Sequence, residues 1–413
     1  MPKKLAIIST HPIQYYAPVF QLLAKKTDLM VFYTAGQSAL GTHDKGFNKI
    51  IKWDLPLLEG YACSFVENTA KNPGSHHFNG VVNPALIKEV QSFNPDFILV
   101  YGWAYRSHLK LLRFFKGKIP VCFRGDSTLL NTSTRIKNML RSLLLKWIYK
   151  HVDLAFYVGT ANKAYFKAYG LKEQQLHFAP HAIDNERFAK NRLVEAVSLR
   201  AKLSIGAEEL LILFAGKFDF VKNPALLLDA FIDLNLKSTH LLFIGNGELE
   251  RILKEKVEGL SDKISVDYAQ DDKVGHPELE VETWNKNVKS RIHFMEFQNQ
   301  SQMPIVYQAC DLFCLPSVSE TWGLAVNEAM AAGKAILVSD KVGCADDLVK
   351  PEVNGSVFKS GDLADLKQKL KALTENKAKL TKMGMASKQI IQEWSFEKQV
   401  TAIVDALENK HAK

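Results

Sequence analysis

Strand-length apolar segments alternate with helix-length segments along this chain, and the alternation runs through it twice. Apolar runs at residues 5–9 and 97–102 lie in the first half, and runs at residues 210–215 and 312–315 lie in the second. Such alternation predicts parallel, doubly wound sheets covered by helices. Its repetition predicts an α/β protein with two Rossmann-like domains, and 413 residues are enough to form both.

The other predicted elements fill in this pattern. Further strands are predicted at residues 29–34, 120–123, 152–158, 241–245, 292–294 and 334–339, and helices at residues 13–25, 105–115, 134–149, 224–234, 303–309, 322–332 and 396–407. Residues 36–84 are rich in loop-forming residues. The segment is long for a loop without structure, so we expect a functional excursion or a partly ordered segment. Residues 262–290 have no clear period and read as an insertion in the second domain.

Composition indicates a globular protein of a reducing compartment. The chain is 47% hydrophobic and 23% charged, and no apolar run reaches the roughly 18–20 residues that span a bilayer. His11, Pro12 and Gln14 stand where a signal peptide would need apolar residues, so a cytoplasmic location is expected. The five cysteines lack metal-ligand spacing, and three of them lie in apolar contexts that predict buried thiols: Cys122, Cys310 and Cys314.

Positive charge is concentrated in the first half of the chain. Residues 1–178 hold 23 Lys and Arg against 10 Asp and Glu, whereas residues 179–413 hold 30 against 34. The helix predicted at 134–149, with Lys150 just after it, has basic but no acidic residues: Arg135, Lys137, Arg141, Lys146 and Lys150. It also has an apolar face, formed by Ile136, Met139, Leu140, Leu143, Leu144 and Trp147.

This combination is typical of a helix that lies beside anionic lipid. The favoured alternative is that the apolar face docks on the first domain's sheet. Both can hold, and the pattern leads us to expect a possible peripheral association with the inner leaflet of the plasma membrane.

Two glutamates, Glu320 and Glu328, lie between two predicted strands of the second half. Glu320 is in the loop at the carboxyl end of a strand, where open α/β sheets bind ligands. Glu328 emerges from an apolar helix surface, where a carboxylate is costly unless something hydrogen-bonds to it. The pair indicates a ligand rich in hydroxyls, such as a sugar or a ribose. The plain alternative is a glutamate favouring the helix dipole and another in a surface ion pair.

The loop that follows the strand at 210–215 is a candidate phosphate-binding site. Gly216 ends the strand, and Lys217 and Lys222 flank the loop before the next helix. Without a Walker pattern, plain surface lysines remain the alternative. Two further features near strand ends are the turn after the next strand, Gly245, Asn246 and Gly247, and the helix entrance at Trp322, Gly323 and Leu324.

Residues 320–340, ETWGLAVNEAMAAGKAILVSD, resemble the E-x7-E signature of glycosyltransferase family 4, the retaining GT-B transferases. The resemblance implies a GT-B fold, with two Rossmann-like domains facing a cleft. It implies an acceptor domain at residues 1–183, a nucleotide-sugar domain at 184–390, and a helix at 391–413 that crosses back to the first domain. Residues 180–188 resemble the family's P-x-G-V-D-x-x-x-F linker, with Ala182 in place of the usual glycine.

The resemblance also implies roles for the donor-side residues. Glu328 would bind the ribose hydroxyls, and Glu320 the hydroxyls of the donor sugar. Lys217 and Lys222 would stabilise the departing nucleoside diphosphate, although Lys217 stands where the family has arginine and loses its bidentate contact. The remaining donor-binding residues would be Gly216, Gly245, Asn246, Gly247, Trp322, Gly323 and Leu324. No cofactor and no metal are expected, because the cations do a metal's work; the nucleotide sugar is a co-substrate.

Acceptor-side candidates follow predicted strands of the first half. His11 and Gln14 follow the first strand, Trp103 follows another, and Arg124 and Asp126 follow a third. Asp126 or His11 could orient or deprotonate the acceptor hydroxyl. An equally good alternative is that Arg124 and Asp126 pair with each other structurally.

The expected function is a retaining glycosyltransferase. It would use a UDP- or GDP-sugar donor and a glycan or lipid-linked acceptor, in surface polysaccharide or glycoconjugate synthesis. Three alternatives stay open: a GT-B protein that binds nucleotide sugar or glycan without turnover, a GT-B-like epimerase, and a Rossmann-like protein with another ligand. The basic half carries no RNA-binding motif or zinc spacing, so nucleic acid is not expected as a partner.

Overall fold

The structure, a computed structural model, describes residues 2–37, 43–44, 49–50, 53–130, 135–260 and 287–409, with the side chains of 43–44, 49–50 and 135–138 left aside. Most of the insertion predicted at 262–290 lies outside the described residues. The strands are β1 (Lys4–Ser9), β2 (Asp28–Tyr33), β3 (His43–Asp44), β4 (Lys49–Ile50), β5 (Ala62–Phe65), β6 (Phe97–Tyr101), β7 (Val121–Arg124), β8 (Leu154–Tyr157), β9 (Leu176–Phe178), β10 (Leu210–Ala215), β11 (Thr239–Ile244), β12 (Ile292–Met295), β13 (Leu312–Leu315), β14 (Ala335–Ser339) and β15 (Gly355–Phe358).

Helices follow most of these strands, as the alternation predicts. They are α1 (Ala17–Ala24), α2 (Leu86–Phe93), α3 (Arg106–Phe115), α4 (Arg135–Tyr149), α5 (Thr160–Ala168), α6 (Asn185–Ala189), α7 (Leu193–Lys202), α8 (Pro224–Leu234), α9 (Glu250–Glu258), α10 (Met303–Ala309), α11 (Leu324–Ala331), α12 (Ala345–Leu348), α13 (Leu363–Thr374), α14 (Lys377–Ile391) and α15 (Phe396–Asn409). None of the helices in the described parts of the chain is both long and apolar enough to cross a bilayer.

The chain divides into two compact units. The first comprises Met1–His43, Ile50–Asn185 and Ile391–Lys413, and the second comprises Asp44–Lys49 and Glu186–Ile390. α15 therefore belongs to the first unit, where Ile403 packs in the same core as Phe20 of α1.

The first unit is built on a seven-stranded sheet with the order β5-β2-β1-β6-β7-β8-β9. Neighbouring strands are parallel throughout, and β1 pairs with β2 on one side and β6 on the other. Every residue of β6 is buried, because helices cover both faces of the sheet. Two hydrophobic clusters, one around Ile8 and one around Ile7, form its core.

The second unit is built on a six-stranded parallel sheet with the order β12-β11-β10-β13-β14-β15. β10, β11, β13 and β14 are buried along their whole length. The predicted α/β architecture of two doubly wound parallel sheets is confirmed. So are the predicted buried thiols of Cys122, Cys310 and Cys314.

Several sequence-based boundaries were wrong for local physical reasons. The loop-rich segment at 36–84 is partly ordered, which is one of its two expected outcomes: it contains β5, which extends the sheet by pairing with β2, and a 3-10 turn at Phe78–Gly80. α1 begins only at Ala17, with a proline in its first turn. α11 begins at Leu324 because Gly323 has a φ of +101°, outside the helical region. Gly333 has a φ of +75° and ends the helix as predicted.

The favoured interpretation of the apolar face of α4 was also wrong. Leu145, Ile148 and Tyr149 are the residues that pack into the core of the first unit. The described residues of the predicted stripe are exposed instead, namely Met139, Leu140, Leu143, Leu144 and Trp147. Three consecutive leucines give this helix apolar residues on both sides, so spacing alone could not tell which side faces inward.

Buried histidines link the stability of the first unit to pH. His108 donates from Nδ1 to the Gly102 carbonyl at 2.9 Å, and its Nε2 lies 2.8 Å from the Thr34 hydroxyl. Burial lowers the pKa of His108 from 6.5 to about 4, and burial with the nearby Arg124 lowers the pKa of His181 to about 3. Both imidazoles are therefore neutral in the folded protein at pH 5 and charged in the unfolded chain.

Acidification is therefore expected to destabilise the protein. Because the unfolded chain binds more protons, the free energy of unfolding falls as the pH drops below 6.5 and continues to fall towards 4. Between pH 7 and 5 His108 alone should account for about 2 kcal/mol. Urea denaturation at the two pH values measures the effect. His108→Gln should show a smaller pH dependence and the exposed His76→Gln an unchanged one; equal slopes in all three would refute the linkage.

Candidate functional site

The order of strands in the second unit creates a crevice at one edge of its sheet. The chain runs outward from β10 to β11 and β12, then returns to place β13 on the other side of β10. The loops that follow β10 and β13 therefore leave the carboxyl ends of these two strands in opposite directions. This reversal is the place where open α/β sheets bind ligands.

A lysine and a glutamate meet across this crevice. Lys222, from the loop after β10, forms an ion pair with Glu320, from the loop after β13. Both side chains are mostly shielded, with exposures of 25% and 14%. The two sequence-predicted residues are separated by 98 positions in the chain and are brought into contact by the fold.

A short turn fixes Lys222 at the start of α8. The Asp219 carboxylate accepts a hydrogen bond from the Lys222 amide at 2.7 Å. Asn223 then takes the left-handed conformation with φ +51°, and Pro224 begins the helix. This turn directs the lysine stem towards the strand ends.

The environment of Lys222 lowers the pKa of its ammonium group, but the group stays protonated at neutral pH. Burial lowers the pKa of the ammonium to about 8, Asp219 opposes this shift, and the nearby Lys217 adds to it. Contact with the Glu320 carboxylate favours the charged form. Lys222 is therefore a shielded cation beside a second one, which suits an anionic ligand.

Residues 341–344 hold the loop that carries Glu320. The Glu320 amide donates to the Lys341 carbonyl, and the Gly343 amide donates back to the Glu320 carbonyl, each at 3.0 Å. A Cβ at Gly343 would lie 1.9 Å from the Thr321 carbonyl oxygen, so only glycine allows this approach. Sequence reasoning missed Gly343, because glycines are common in the turns that follow strands and nothing sets this one apart.

The buried Glu328 has a partner that sequence reasoning also missed. Only 4% of Glu328 is exposed, and its Oε2 accepts a hydrogen bond from the Tyr307 hydroxyl at 2.9 Å. Tyr307 lies on α10 and is completely buried. This hydrogen bond helps to meet the cost of a carboxylate in an apolar setting. The only signal in the sequence was the expectation that some donor must be there.

Trp322 and Gly323 form the entrance to α11. The Trp322 side chain is buried and donates from Nε1 to the Asn327 side chain at 2.9 Å. A Cβ at Gly323 would lie 3.0 Å from Val342. The amides of Gly323 and Leu324 begin the helix, where unpaired N–H groups and the positive end of the helix dipole favour anions.

The loops after β10 and β11 are packed together through glycines. A Cβ at Gly245 would lie 1.9 Å from the Gly216 carbonyl oxygen, and one at Gly247 would lie 2.4 Å from the Phe218 carbonyl oxygen. The Asn246 side chain donates to Glu250 at 3.1 Å and accepts from the Phe297 amide at 3.0 Å. Asn246 therefore braces the loop with its side chain.

The candidate acceptor residues lie in the first unit, at a similar reversal. β1 is flanked by β2 and β6, so residues that follow β1 and β6 meet at one edge. His11 is half-buried with its Nδ1 3.0 Å from the Thr10 hydroxyl, and Gln14 is half-buried in the same loop. Trp103 is partly buried and packs against the core cluster.

Arg124 has a structural position at this edge. It is 2% exposed and donates to the carbonyls of Ala179 and Pro180 at 2.8 and 3.0 Å. Asp126 lies close enough to influence it electrostatically. The Tyr16 ring, also within reach, stacks near His181 with centroids 6.2 Å apart. The guanidinium thus braces the 179–180 segment.

In the part of the chain that the structure describes, no group of three or more His, Cys, Asp or Glu side chains could hold a metal ion.

Comparison with known families finds similarity in the second unit. Residues 197–390 match the family model described as glycosyl transferases group 1. Among curated relatives, the D-inositol 3-phosphate glycosyltransferase of Nocardia farcinica is 26% identical over 218 residues, which cover 52% of this chain and 44% of that protein. The sulfoquinovosyl transferase SQD2 of Arabidopsis thaliana is 23% identical over 337 residues, covering 78% and 58%.

Comparison with solved structures identifies the fold. The chain matches the crystal structure of Anabaena Alr3699/HepE in complex with UDP with a TM-score of 0.70 and 16% identity, over 98% of this chain and 100% of that one. The fold is GT-B, and residues 197–390 are similar to the glycosyl transferases of group 1. The chain spans about half the length of the curated relatives it matches: 44%, 35% and 52% for three of them.

Proposed function

We propose that this chain is a retaining glycosyltransferase of family 4. It would move a sugar from a nucleoside diphosphate sugar to a hydroxyl of a glycan or lipid-linked acceptor. The observation that carries the proposal is the pairing of Lys222 with Glu320 at the crevice of the second unit, together with the buried hydrogen bond from Tyr307 to Glu328 on the helix that follows Glu320. A structural ion pair alone would not need a second, buried carboxylate on the next helix.

Lys222 would act on the diphosphate of the donor. A phosphate at this point would compete with Glu320 for the ammonium, and Lys217 in the same loop would add a second positive charge. As the bond to the sugar breaks, negative charge grows on the leaving diphosphate. Fixed cations in a shielded crevice stabilise that charge, and this stabilisation is worth more in the transition state than in the bound donor.

The two glutamates would recognise hydroxyls. Glu320, displaced from Lys222 by a phosphate, would be available to accept hydrogen bonds from the donor sugar. Glu328 would accept from the ribose, with Tyr307 holding its carboxylate in place. Amides at the start of α11 and the loop of Gly245 and Gly247 would complete the donor site. His11, Gln14, Trp103 and Asp126 would serve the acceptor; Asp126 or His11 would take its proton.

Donor binding and donor turnover test the proposal separately. Calorimetry with UDP, GDP and ADP, each with a chelator present, should reveal tight binding of one nucleotide without metal. UDP is the first choice, because a structure of the same fold is a complex with it. With UDP-α-glucose, slow hydrolysis followed by NMR should release the α anomer first if configuration is retained. Binding without release of UDP would favour a protein that binds without turnover, and no binding of any nucleotide would refute the proposal.

A further inference from the structure

Helix α4 of the first unit has a second apolar face, which is largely exposed among the described residues. We define the α4 outer face as Met139, Leu140, Leu143, Leu144 and Trp147, whose exposures lie between 38% and 62%. The opposite side of the same helix is buried through Leu145 and Ile148. The helix is thus anchored in the core on one side and presents large apolar side chains on the other.

Spacing makes the α4 outer face a continuous stripe. Within the set, pairs three apart (140 and 143, 144 and 147) alternate with pairs four apart (139 and 143, 140 and 144, 143 and 147), so all five lie on one side of the helix. The stripe is about 12 Å long, from the rise per residue. Scattered exposed apolar residues are common on any protein, whereas a contiguous row of five large ones marks a surface that binds something.

Positive charge surrounds the stripe. Arg141 and Lys146 are exposed on α4, Lys150 is exposed just after it, and the guanidinium of Arg113 lies over the Trp147 ring at 5.3 Å. From residue 103 to residue 150 the sequence has eleven Lys and Arg against a single acidic residue, Asp126. The partner of this surface must therefore be both apolar and anionic.

We propose that the α4 outer face docks on an anionic lipid surface. The helix would lie in the plane of the interface, with its leucines and Trp147 among the acyl chains and its basic residues at the phosphates. A nucleic acid would use the charges but not the leucines. A two-fold interface between two copies of the chain pairs the same surface with itself. Such a dimer would place positive charge against positive charge. Only a lipid surface satisfies both features.

This docking goes beyond the proposed transfer reaction and does not depend on it. It would bring the chain to the place where a lipid-linked acceptor resides. Vesicle binding needs no nucleotide and no acceptor, so its failure and the failure of the proposed function would be seen in different assays.

Sedimentation with vesicles tests the docking. The full chain should bind vesicles of phosphatidylcholine and phosphatidylglycerol in equal parts, more weakly at higher salt, and should bind phosphatidylcholine alone poorly. The combined variant Leu140→Glu, Leu143→Glu, Leu144→Glu should lose at least about tenfold in affinity, because it removes the inserting side chains and adds repulsion. The three leucines are exposed, so the variant should keep the thermal stability of the wild type.

A matched control exists on α7 of the second unit. Leu193, Val194 and Val197 have exposed fractions of 57% to 83% on a helix that is not surrounded by basic residues in this way. Replacing all three by glutamate adds the same charge and should leave vesicle binding nearly unchanged. A second arm, Arg141→Gln, Lys146→Gln, Lys150→Gln, should reduce binding to anionic vesicles and its dependence on salt.

Trp147 reports insertion directly. Brominated lipids should quench part of the wild-type fluorescence, and that part should be missing in Trp147→Phe. The proposal is overturned if the wild type ignores anionic vesicles at low salt, or if the leucine variant binds them as well as the wild type. It is also overturned if gel filtration shows a dimer that the leucine variant dissociates while vesicle binding stays the same.

Discussion

Lys222→Met is expected to lower kcat/KM for sugar transfer by about 10²–10³-fold. The substitution keeps the length of the side chain and removes its charge from the crevice between β10 and β13. Removal of one preorganised group that stabilises transition-state charge costs about 3–4 kcal/mol in the barrier. Most of the loss should appear in kcat, because the charge on the diphosphate grows as the sugar departs. Initial rates of UDP release over a range of donor concentrations measure both parameters.

Three variants separate this effect from a general disturbance. Lys222→Arg restores the charge with different geometry and should recover part of the rate. Lys222→Met with Glu320→Gln avoids leaving the glutamate without its cation, so its thermal stability should exceed that of Lys222→Met alone. Lys359→Met, at a side chain exposed by 76%, should behave as the wild type. A Lys222→Met enzyme with unchanged kcat would exclude the lysine from catalysis.

Glu328→Ala is expected to weaken nucleotide binding by about tenfold to a hundredfold. Hydrogen bonds to a charged group contribute about 1.5–3 kcal/mol, and the ribose would lose its acceptor. The same change leaves the buried Tyr307 hydroxyl without this partner, which should cost about 1–3 kcal/mol of stability. Calorimetry with UDP and thermal denaturation give the two numbers independently.

Tyr307→Phe distinguishes binding from positioning at the same place. This variant keeps the Glu328 carboxylate and removes only the hydroxyl that holds it. We expect a smaller loss of UDP affinity than in Glu328→Ala, with KM affected more than kcat. The variant Glu328→Ala, Tyr307→Phe should be more stable than Glu328→Ala, since no hydroxyl then loses its partner. If Glu328→Ala bound UDP as the wild type does, the ribose would have to be bound elsewhere.

Much of the architecture could be predicted because buried parallel strands appear in the sequence as distinct apolar segments. β10 and β13 appear in the sequence as uninterrupted apolar runs, and both have the predicted bounds. β5 could not be predicted in this way. Its residues, Ala-Cys-Ser-Phe, are only partly buried, and they form a strand because β2 offers an unpaired edge. Edge strands owe their conformation to a neighbour, so a single sequence carries little sign of them.

In the candidate site, too, local sequence reveals some residues, whereas others depend on contacts with distant parts of the chain. Lys222, Glu320 and Glu328 could be singled out because charged residues in apolar, strand-end contexts are conspicuous. Tyr307 and Gly343 could not, because their importance lies in contacts with residues distant in sequence. For Arg124, the sequence left a binding role and a structural pairing open, and the hydrogen bonds to Ala179 and Pro180 depend on how the chain folds back.

The position of α15 in the first unit has a consequence for synthesis. Ile403 and Leu407 are part of the core that α1 also builds. A ribosome makes α1 first and α15 only after the whole second unit. The nascent first unit therefore carries an open apolar surface while the second emerges and folds, and its core closes only after α15 has left the ribosome. During that interval the open apolar surface makes the nascent chain prone to aggregation, and a stop codon before residue 396 is expected to harm the amino-terminal unit most.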